Sequence, residues 1–340
     1  MVRLQPFSSK FGEVKFRKKL VKQHLGKEGL IPQEPDKKEI LNILRQRVSA
    51  TENIFKKLDK KGISLSPFLE IGAEKGQRSM VLVNNFKAKG FASDLSFESL
   101  ASASKFARIL GFKKLPYLLC CDAYHLPFAD ETFPFIFCFE TLHHFPDPTP
   151  IVKEIYRVLA PGGFFYWGEE PLKQTFNLGL WRRGYHLNTF EKLLKLVGIL
   201  PFISKIGKTE VTHGILEEEF SLKTWKEALS VFEKVEATIK PVFFGPNSSF
   251  IRKQNAWKNP GIVTRVLTAL QGGGIEGLGV KKGRLIVKKD IERVFICPDC
   301  GQATLKKEAV LVCLNCKRNF GPKNGVLMLL SLKLQKKLYG

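Results

Sequence analysis

No apolar run in the 340-residue sequence approaches the roughly 18–20 residues needed to cross a bilayer. The stretch LLKLVGILPFI (193–203) is too short and is interrupted by Lys195. The N-terminus, MVRLQPFSSKFGEVKFRKKL, is basic but lacks the apolar core and small-residue cleavage site of a secretory signal, so a cytoplasmic protein is expected. Acidic side chains are also scarce, 32 against 55 Lys and Arg, for a formal net charge of +23. That excess suggests an anionic partner: RNA, a phosphorylated or lipid-linked substrate, or a membrane surface. A lysine-rich solvated surface is the alternative. An apolar content of 44%, with 11% aromatics, excludes disorder as the dominant state.

The charge is unevenly spread. Residues 1–65 carry 16 basic and 7 acidic side chains, and 171–290 carry 20 and 10. Between them, residues 66–170 carry 10 basic and 12 acidic side chains. A near-neutral middle is therefore flanked by basic segments.

Residues 1–62 read as a basic, largely helical extension. In KKEILNILRQRVSATENIFKKL, Ile40, Leu41, Leu44, Val48, Phe55 and Leu58 recur at helical spacing. From residue 63 to 290 one α/β domain is expected, because short apolar runs alternate with helical patterns. PFLEI (67–71), GFAS up to Asp94, YLLCC (117–121), FPFIFCFE (133–140) and FFYWGEE (164–170) read as strands. GQRSMVLVNNF, FESLASASKFARILG and PTPIVKEIYRVLA read as the helices between them. The alternation predicts a doubly wound, Rossmann-like parallel sheet covered on both faces. SLKTWKEALSVFEKVEATIKPV reads as a helix capped by Ser221 and followed by a strand, and KKGRLIVKKD (281–290) as the last strand of the sheet.

Ligands of such sheets bind outside the carboxyl ends of the strands. Here the first strand ends in Glu70 and a turn containing Gly72 and Gly76. A third small residue is missing from that turn, where Glu74 stands. The second strand ends at Asp94, placed as an acid that reaches a cofactor ribose. The third ends at Asp122-Ala123, and the fourth in FETLHHF, with Glu140, His143 and His144. Packing alone does not explain four consecutive strand ends with acids or imidazoles.

Residues from about 66 to 170 resemble the class I S-adenosylmethionine-dependent methyltransferases, most closely the small-molecule type that includes the quinone-biosynthesis enzymes. The likeness rests on DAYHLPFADETFPFIFCFETLHHFPDPTPIVKEIYRVLAPGGFFYWGEEP. Its shared elements are acid-Ala, Leu-Pro-Phe, Phe-x-x-Ile, Leu-His-His, a helix ending RVLAPGG, and a strand with acids. The resemblance implies S-adenosylmethionine as cofactor. Glu70, Gly72, Glu74 and Gly76 would form the loop under its methionine half. Asp94 and Leu95 would hold the ribose, Asp122 and Ala123 the adenine, and Glu140 would close the site. Glu74 departs from the usual glycine, and its side chain either blocks the cofactor, points outward or pairs with the methionine amine.

The cofactor's sulfonium makes its methyl group electrophilic, so the protein mainly aligns an acceptor. A general base is needed only where the acceptor must lose a proton. Candidates are His144, His143 and Glu140, with His213 in the later TEVTHGILEEEF. The Asn/Asp-Pro-Pro-aromatic turn of base-amino methyltransferases is missing. No cysteine stands in a loop as a pyrimidine-carbon nucleophile either, since Cys120, Cys121 and Cys138 lie in strands. The segment 171–220 reads as a lid, with Trp181, Arg182, Arg183, Tyr185 and His186 suited to an anionic or sugar-like ligand. The acceptor is expected to be a small molecule or glycan, including lipid-linked ones. RNA is the alternative, and a non-catalytic scaffold is a third reading.

Residues 291–335 form a second module. In CPDCGQATLKKEAVLVCLNC, Cys297, Cys300, Cys313 and Cys316 make two Cys-x-x-Cys knuckles separated by 12 residues. That spacing matches a structural zinc site, and so small a module would draw much of its folding energy from the metal. The following GPKNGVLMLL resembles the end of the zinc-ribbon subunit that activates eukaryotic and archaeal methyltransferases. Its apolar VLMLL (326–330) is expected to dock the ribbon on its own catalytic domain.

Overall fold

The computed structural model describes residues 5–26, 37–175, 177–178, 180–182, 187–197, 199–206, 208–241, 261–286, 294–307 and 310–340. Two helices come first, α1 (Phe7–His24) and α2 (Lys37–Lys60). The alternating segment follows: β1 (Phe68–Ile71), α3 (Gln77–Asn85), β2 (Gly90–Asp94), α4 (Phe97–Ala101), α5 (Ala103–Leu110), β3 (Tyr117–Cys121), β4 (Phe133–Phe139), α6 (Thr149–Val158) and β5 (Leu159–Leu172). A third stretch holds β6 (Leu180–Arg182), α7 (Thr189–Leu196), α8 (Leu200–Ile203), β7 (Ser204–Ile206) and α9 (Lys208–Thr212). It continues through α10 (Leu222–Leu229), β8 (Lys234–Pro241), α11 (Ile262–Gln271) and β9 (Gly273–Val280). The chain ends in β10 (Thr304–Lys307), β11 (Val310–Cys313), β12 (Asn319–Phe320), β13 (Pro322–Lys323), β14 (Val326–Leu329) and α12 (Leu332–Tyr339).

Among the described residues, nine strands form one sheet in the order β13-β14-β3-β2-β1-β4-β5-β9-β8. Strands β1 to β5 are mutually parallel, and β9 runs antiparallel to both β5 and β8. Strand β4 shows why the sheet is covered on both faces. All seven of its residues are buried, as expected of a central parallel strand. Ile136 and Cys138 join the cluster that contains Ile151, Val152 and Ile155 of α6. Phe135, Phe137 and Phe139 point to the other face, among Phe55 of α2 and Val81 and Leu82 of α3. Helix α2 is thus part of the wall of the domain, with Phe55 edge-on to Phe137 at 5.2 Å. Cys120, Cys121 and Cys138 are all buried in the sheet.

Two local expectations are corrected. The single helix read over FESLASASKFARILG is two, α4 and α5, broken at Ser102. Ser102 Oγ donates to the Ser99 carbonyl at 2.6 Å, a local bond that competes with the helix ladder. Of KKGRLIVKKD, residues 281–286 lie outside any strand and 287–290 fall outside the described residues; the strand that pairs with both β5 and β8 is β9. Glycine normally weakens a strand. Here the bare backbone is required, because a Cβ at Gly277 would lie 2.5 Å from the Trp167 ring and one at Gly279 would lie 2.8 Å from Phe232.

The C-terminal module joins the domain through Phe295, through β14 and through Tyr339 at its last helix. Phe295 bridges to Phe128, stacks on its ring at 5.2 Å and meets Phe91 edge-on at 5.4 Å. Strands β10, β11 and β12 then form a small separate sheet, after which β14 enters the main sheet parallel to β3, Val326 opposite Leu118 and Leu329 opposite Cys121.

Candidate active site

The carboxyl ends of β1, β2, β3 and β4 surround a cavity of about 260 Å³. Gly72, Glu74, Asp94, Leu95, Asp122, Ala123, Glu140, His143 and His144 all line it. Glu70 and Gly76 do not. The Glu70 carboxylate is buried beneath the loop, accepting from Ser79 N–H at 3.1 Å and Ser79 Oγ at 2.5 Å in the first turn of α3. Burial pushes it up to about 7.

The loop is held by close approach. Gly72 has φ of 69°, and a Cβ there would stand 2.4 Å from Thr141 Oγ1, so no larger residue fits. Glu74 also adopts a left-handed conformation, φ 50°, at a position where glycine is strain-free. Its N–H donates to Asp94 Oδ2 at 2.7 Å, while Asp94 Oδ1 accepts from Ser96 N–H at 2.7 Å. The Glu74 side chain turns toward α1 and pairs with Arg17, with Lys75 Nζ at 3.8 Å. Burial alone would raise the carboxyl, but Lys75, Arg17, Arg47 and Arg78 overcome it and hold Glu74 well below the usual range.

Helix α1 covers these strand ends. Lys10 pairs with Asp122, the Gln5 N–H donates to Tyr124 OH at 2.8 Å, and Gln5 Nε2 donates to the His144 carbonyl at 3.2 Å. Glu13, Arg17 and His24 of α1 line the cavity. Glu140, with φ of 48°, is held by Arg47 at 2.7 Å and lies 3.6 Å from Arg78.

The two histidines occupy a 3₁₀ turn after β4, Leu142–His144. Glu170, fully buried at the end of β5, organises that turn. It accepts from the backbone N–H groups of Thr141 at 2.8 Å, Leu142 at 3.0 Å and His143 at 3.1 Å. Its Oε2 also lies 3.0 Å from His143 Nδ1, which leaves His143 Nε2 facing Glu217 at 3.7 Å. Burial alone would lower His143, but Glu170, Glu217 and Glu140 raise it to about 9. His144 is the opposite case: burial, the neighbouring His143 charge and Arg17 drive it well below its ordinary value. Because a carbonyl only accepts, the 2.9 Å contact of His144 Nδ1 to Leu216 O puts the proton on Nδ1 and leaves Nε2 with a free lone pair. Glu217, raised to about 7 by burial, lies 3.4 Å from His144 Nδ1.

His213 does not line the cavity; its ring packs on Phe16 of α1 at 4.5 Å. His186, Arg183 and Tyr185 lie outside the described residues, and of Trp181 and Arg182 only the backbone of β6 is described. The residues that the strand-end pattern did not reveal are Lys10, Arg17, Glu170 and Glu217. Glu170 carried a signal, since WGEE places two acids at the end of a predicted strand; the cations of α1 read as solvated charge.

In the C-terminal module Cys297, Cys300, Cys313 and Cys316 bring their sulfurs within 4.8 Å of one another. The Cys297–Cys316 and Cys300–Cys313 separations are 3.7 and 3.4 Å. A tetrahedral zinc with bonds of about 2.3 Å sets sulfurs roughly 3.8 Å apart, so the set fits one ion.

With that geometry in place, residues 69–167 match a family model described as a methyltransferase domain, and the strand ends that surround the cavity fall within the matched segment. Among curated relatives, the methyltransferase GfsG of Streptomyces halstedii is 29% identical over 129 residues, 38% of this chain and 46% of its own length. A demethylmenaquinone methyltransferase of Lactobacillus johnsonii is 30% identical over 151 residues, 43% of this chain and 60% of its own. A malonyl-[acyl-carrier protein] O-methyltransferase of a Marinomonas strain is 33% identical over 97 residues, 28% of this chain and 35% of its own. The chain therefore spans about half the length of the relatives it matches.

Proposed function

We propose that this chain transfers a methyl group from S-adenosylmethionine to a small-molecule or glycan acceptor, and that its C-terminal ribbon holds a structural zinc. The observation that carries the reading is the convergence of Gly72, Asp94, Asp122 and the His143–His144 turn on one cavity inside the methyltransferase domain. S-adenosylmethionine supplies an electrophilic methyl group, so the chain's own task is binding, alignment and handling one proton. Asp94 would hold the ribose hydroxyls and Asp122 the adenine amine, with the bare backbone of Gly72 allowing close approach. Asp122 is the partner of Lys10, so binding through its carboxylate exchanges that contact for one to the cofactor.

The two histidines would divide the acid–base work. Adjacent imidazoles with rings 4.2 Å apart are pushed in opposite directions, which assigns them different protonation states near neutral pH. His143, charged and tied to Glu170, is a positioning residue. His144, neutral with Nε2 unprotonated, is the base for an acceptor that must lose a proton. The relatives named for demethylmenaquinone and for malonyl-[acyl-carrier protein] act on small acceptor groups, in keeping with this class.

Calorimetry with S-adenosylmethionine tests the reading. Micromolar binding is expected, at least tenfold weaker in Asp94→Ala. No detectable binding by the zinc-loaded protein would overturn it in favour of a scaffold that keeps the fold. Tight binding of one structured RNA, with radiolabel transferred to it, would replace the acceptor class.

A further inference from the structure

We infer that the lobe built by α7, α8 and α11 is a membrane-surface docking site for anionic lipid. Helix α7 has no buried residue, although it is a well-formed helix. Its N-terminus is capped. Asn188 Oδ1 accepts from Glu191 N–H at 2.8 Å and Glu191 Oε2 accepts from Asn188 N–H at 2.8 Å, a reciprocal cap that closes the N-terminus of the helix. Phe190, Leu193 and Leu196, three residues apart along one side, are 66%, 55% and 83% exposed. Helix α11 adds Ile262 at 79% and Val266 at 50%, and α8 touches both helices, so the exposed side chains belong to one lobe. Soluble surfaces seldom leave large aliphatic side chains grouped in this way.

Charge decides what covers them. Lys192 and Lys195 stand exposed beside the apolar residues of α7, and Arg265 is exposed on α11. The acid of α7, Glu191, is engaged in the cap, and α11 has none. A second copy meeting this lobe through a two-fold axis would set lysine against lysine. An anionic bilayer offers the complement: acyl chains for the leucines and headgroups for the cations. Among the described residues no helix is long and apolar enough to cross a membrane, so the contact is interfacial.

The position of the lobe gives the docking a purpose. It follows the carboxyl end of β5 and precedes β9, whose Gly273 pairs with Leu172, so it sits at the end of the sheet where the cavity opens. Provided the chain is a methyltransferase, as proposed above, this placement selects acceptors anchored in lipid.

Vesicle flotation with the full zinc-loaded chain tests the docking independently of any activity. The wild type should float with phosphatidylcholine vesicles containing phosphatidylglycerol, more weakly with phosphatidylcholine alone, and less as salt rises. The double variant Leu193→Glu/Leu196→Glu should bind at least tenfold more weakly while its S-adenosylmethionine affinity, measured by calorimetry, stays unchanged. A wild type that floats with neither vesicle, or a variant that floats equally well, would overturn the proposal. So would a wild-type dimer by light scattering that the variant converts to monomer without any vesicle binding. A failure of cofactor binding with intact flotation would strike the methyltransferase reading and leave the docking standing.

Discussion

The two flanks of the central α/β domain are both basic, yet they attach in different ways. Helix α1 packs Phe16 and Leu20 beside Ile215, but it meets the strand ends through charge: Lys10 on Asp122, Arg17 on Glu74 and Lys18 at 3.5 Å from Glu98. The C-terminal module is held by a strand in the sheet and by stacked phenylalanines, and its own thiols gather in one cluster. Charge pairs over a ligand site can be exchanged for a ligand, whereas a strand paired along its length cannot leave without exposing the edge of β3. The difference suggests that α1 is the part that responds to the cofactor and the ribbon the part that fixes the frame.

The largest expected effect comes from breaking the ribbon. If the ribbon holds the proposed zinc, Cys313→Ser, or treatment with a strong chelator, should lower the melting temperature by on the order of 10 °C, because the metal would supply much of the module's folding energy. Release of β14 would also expose Val326, Leu329 and Leu330, all buried at 1% or less, and the protein should then aggregate. Scanning calorimetry with static light scattering reads both. A variant that melts normally and stays monomeric would show that the strand holds without the metal, and the contrast between the flanks would lose its basis.

How much of this was legible follows the range of the interactions. The succession of the parallel strands along the chain and the acids at their ends could be read because period and turn chemistry are local. The cysteine knuckles could be read for the same reason. Glu74 illustrates the limit: its departure from glycine is visible in the sequence, but its cause is Arg17, 57 residues away. The glycine-rich β9 was missed because its pattern carries no strand signal; its glycines answer to Trp167 and Phe232 on other elements. Glu170 acts across the sheet on the turn that carries His143, 27 residues earlier. These are pairings of distant segments, set by packing and charge.

A second, smaller effect separates the flanks by pH. Glu13 of α1 is pushed up to about 7 by burial against the pull of Arg17. A carboxyl whose folded value is raised contributes stability that is present below its unfolded value of 4.5 and is lost as pH rises through about 7. His24, also on α1, is held down to about 3 by burial, so its cost appears only as pH falls below 6.5. Of these two groups of α1, only Glu13 therefore acts near pH 8. Glu13→Gln should tighten α1 there by about 1–2 kcal/mol and leave it unchanged near pH 5. Hydrogen exchange of residues 7–24 measures this. The ribbon should run the other way, weakening as acid protonates its thiolates. Equal pH responses from both flanks would erase the distinction.

The smallest effect tests whether the frame reaches the cofactor loop. Tyr339, at the end of α12, donates from its hydroxyl to the Leu95 carbonyl at 2.5 Å and accepts from Phe97 N–H at 3.0 Å. Those two residues flank Ser96, whose N–H is bound by Asp94, so the last helix of the chain clamps the turn that presents Asp94 to the cavity. Tyr339→Phe keeps the ring packed edge-on to Phe97 and deletes only the hydroxyl. The Phe97 N–H would then lack a partner and the Leu95 carbonyl would keep only the Cys120 thiol at 3.3 Å, at a cost of about 1 kcal/mol in unfolding free energy. If the clamp orients Asp94, S-adenosylmethionine affinity should fall two- to fivefold, about 0.4–1 kcal/mol, with the zinc content unchanged. A stability loss with normal cofactor affinity would confine the ribbon to support of the sheet and leave the cofactor site to α1 alone.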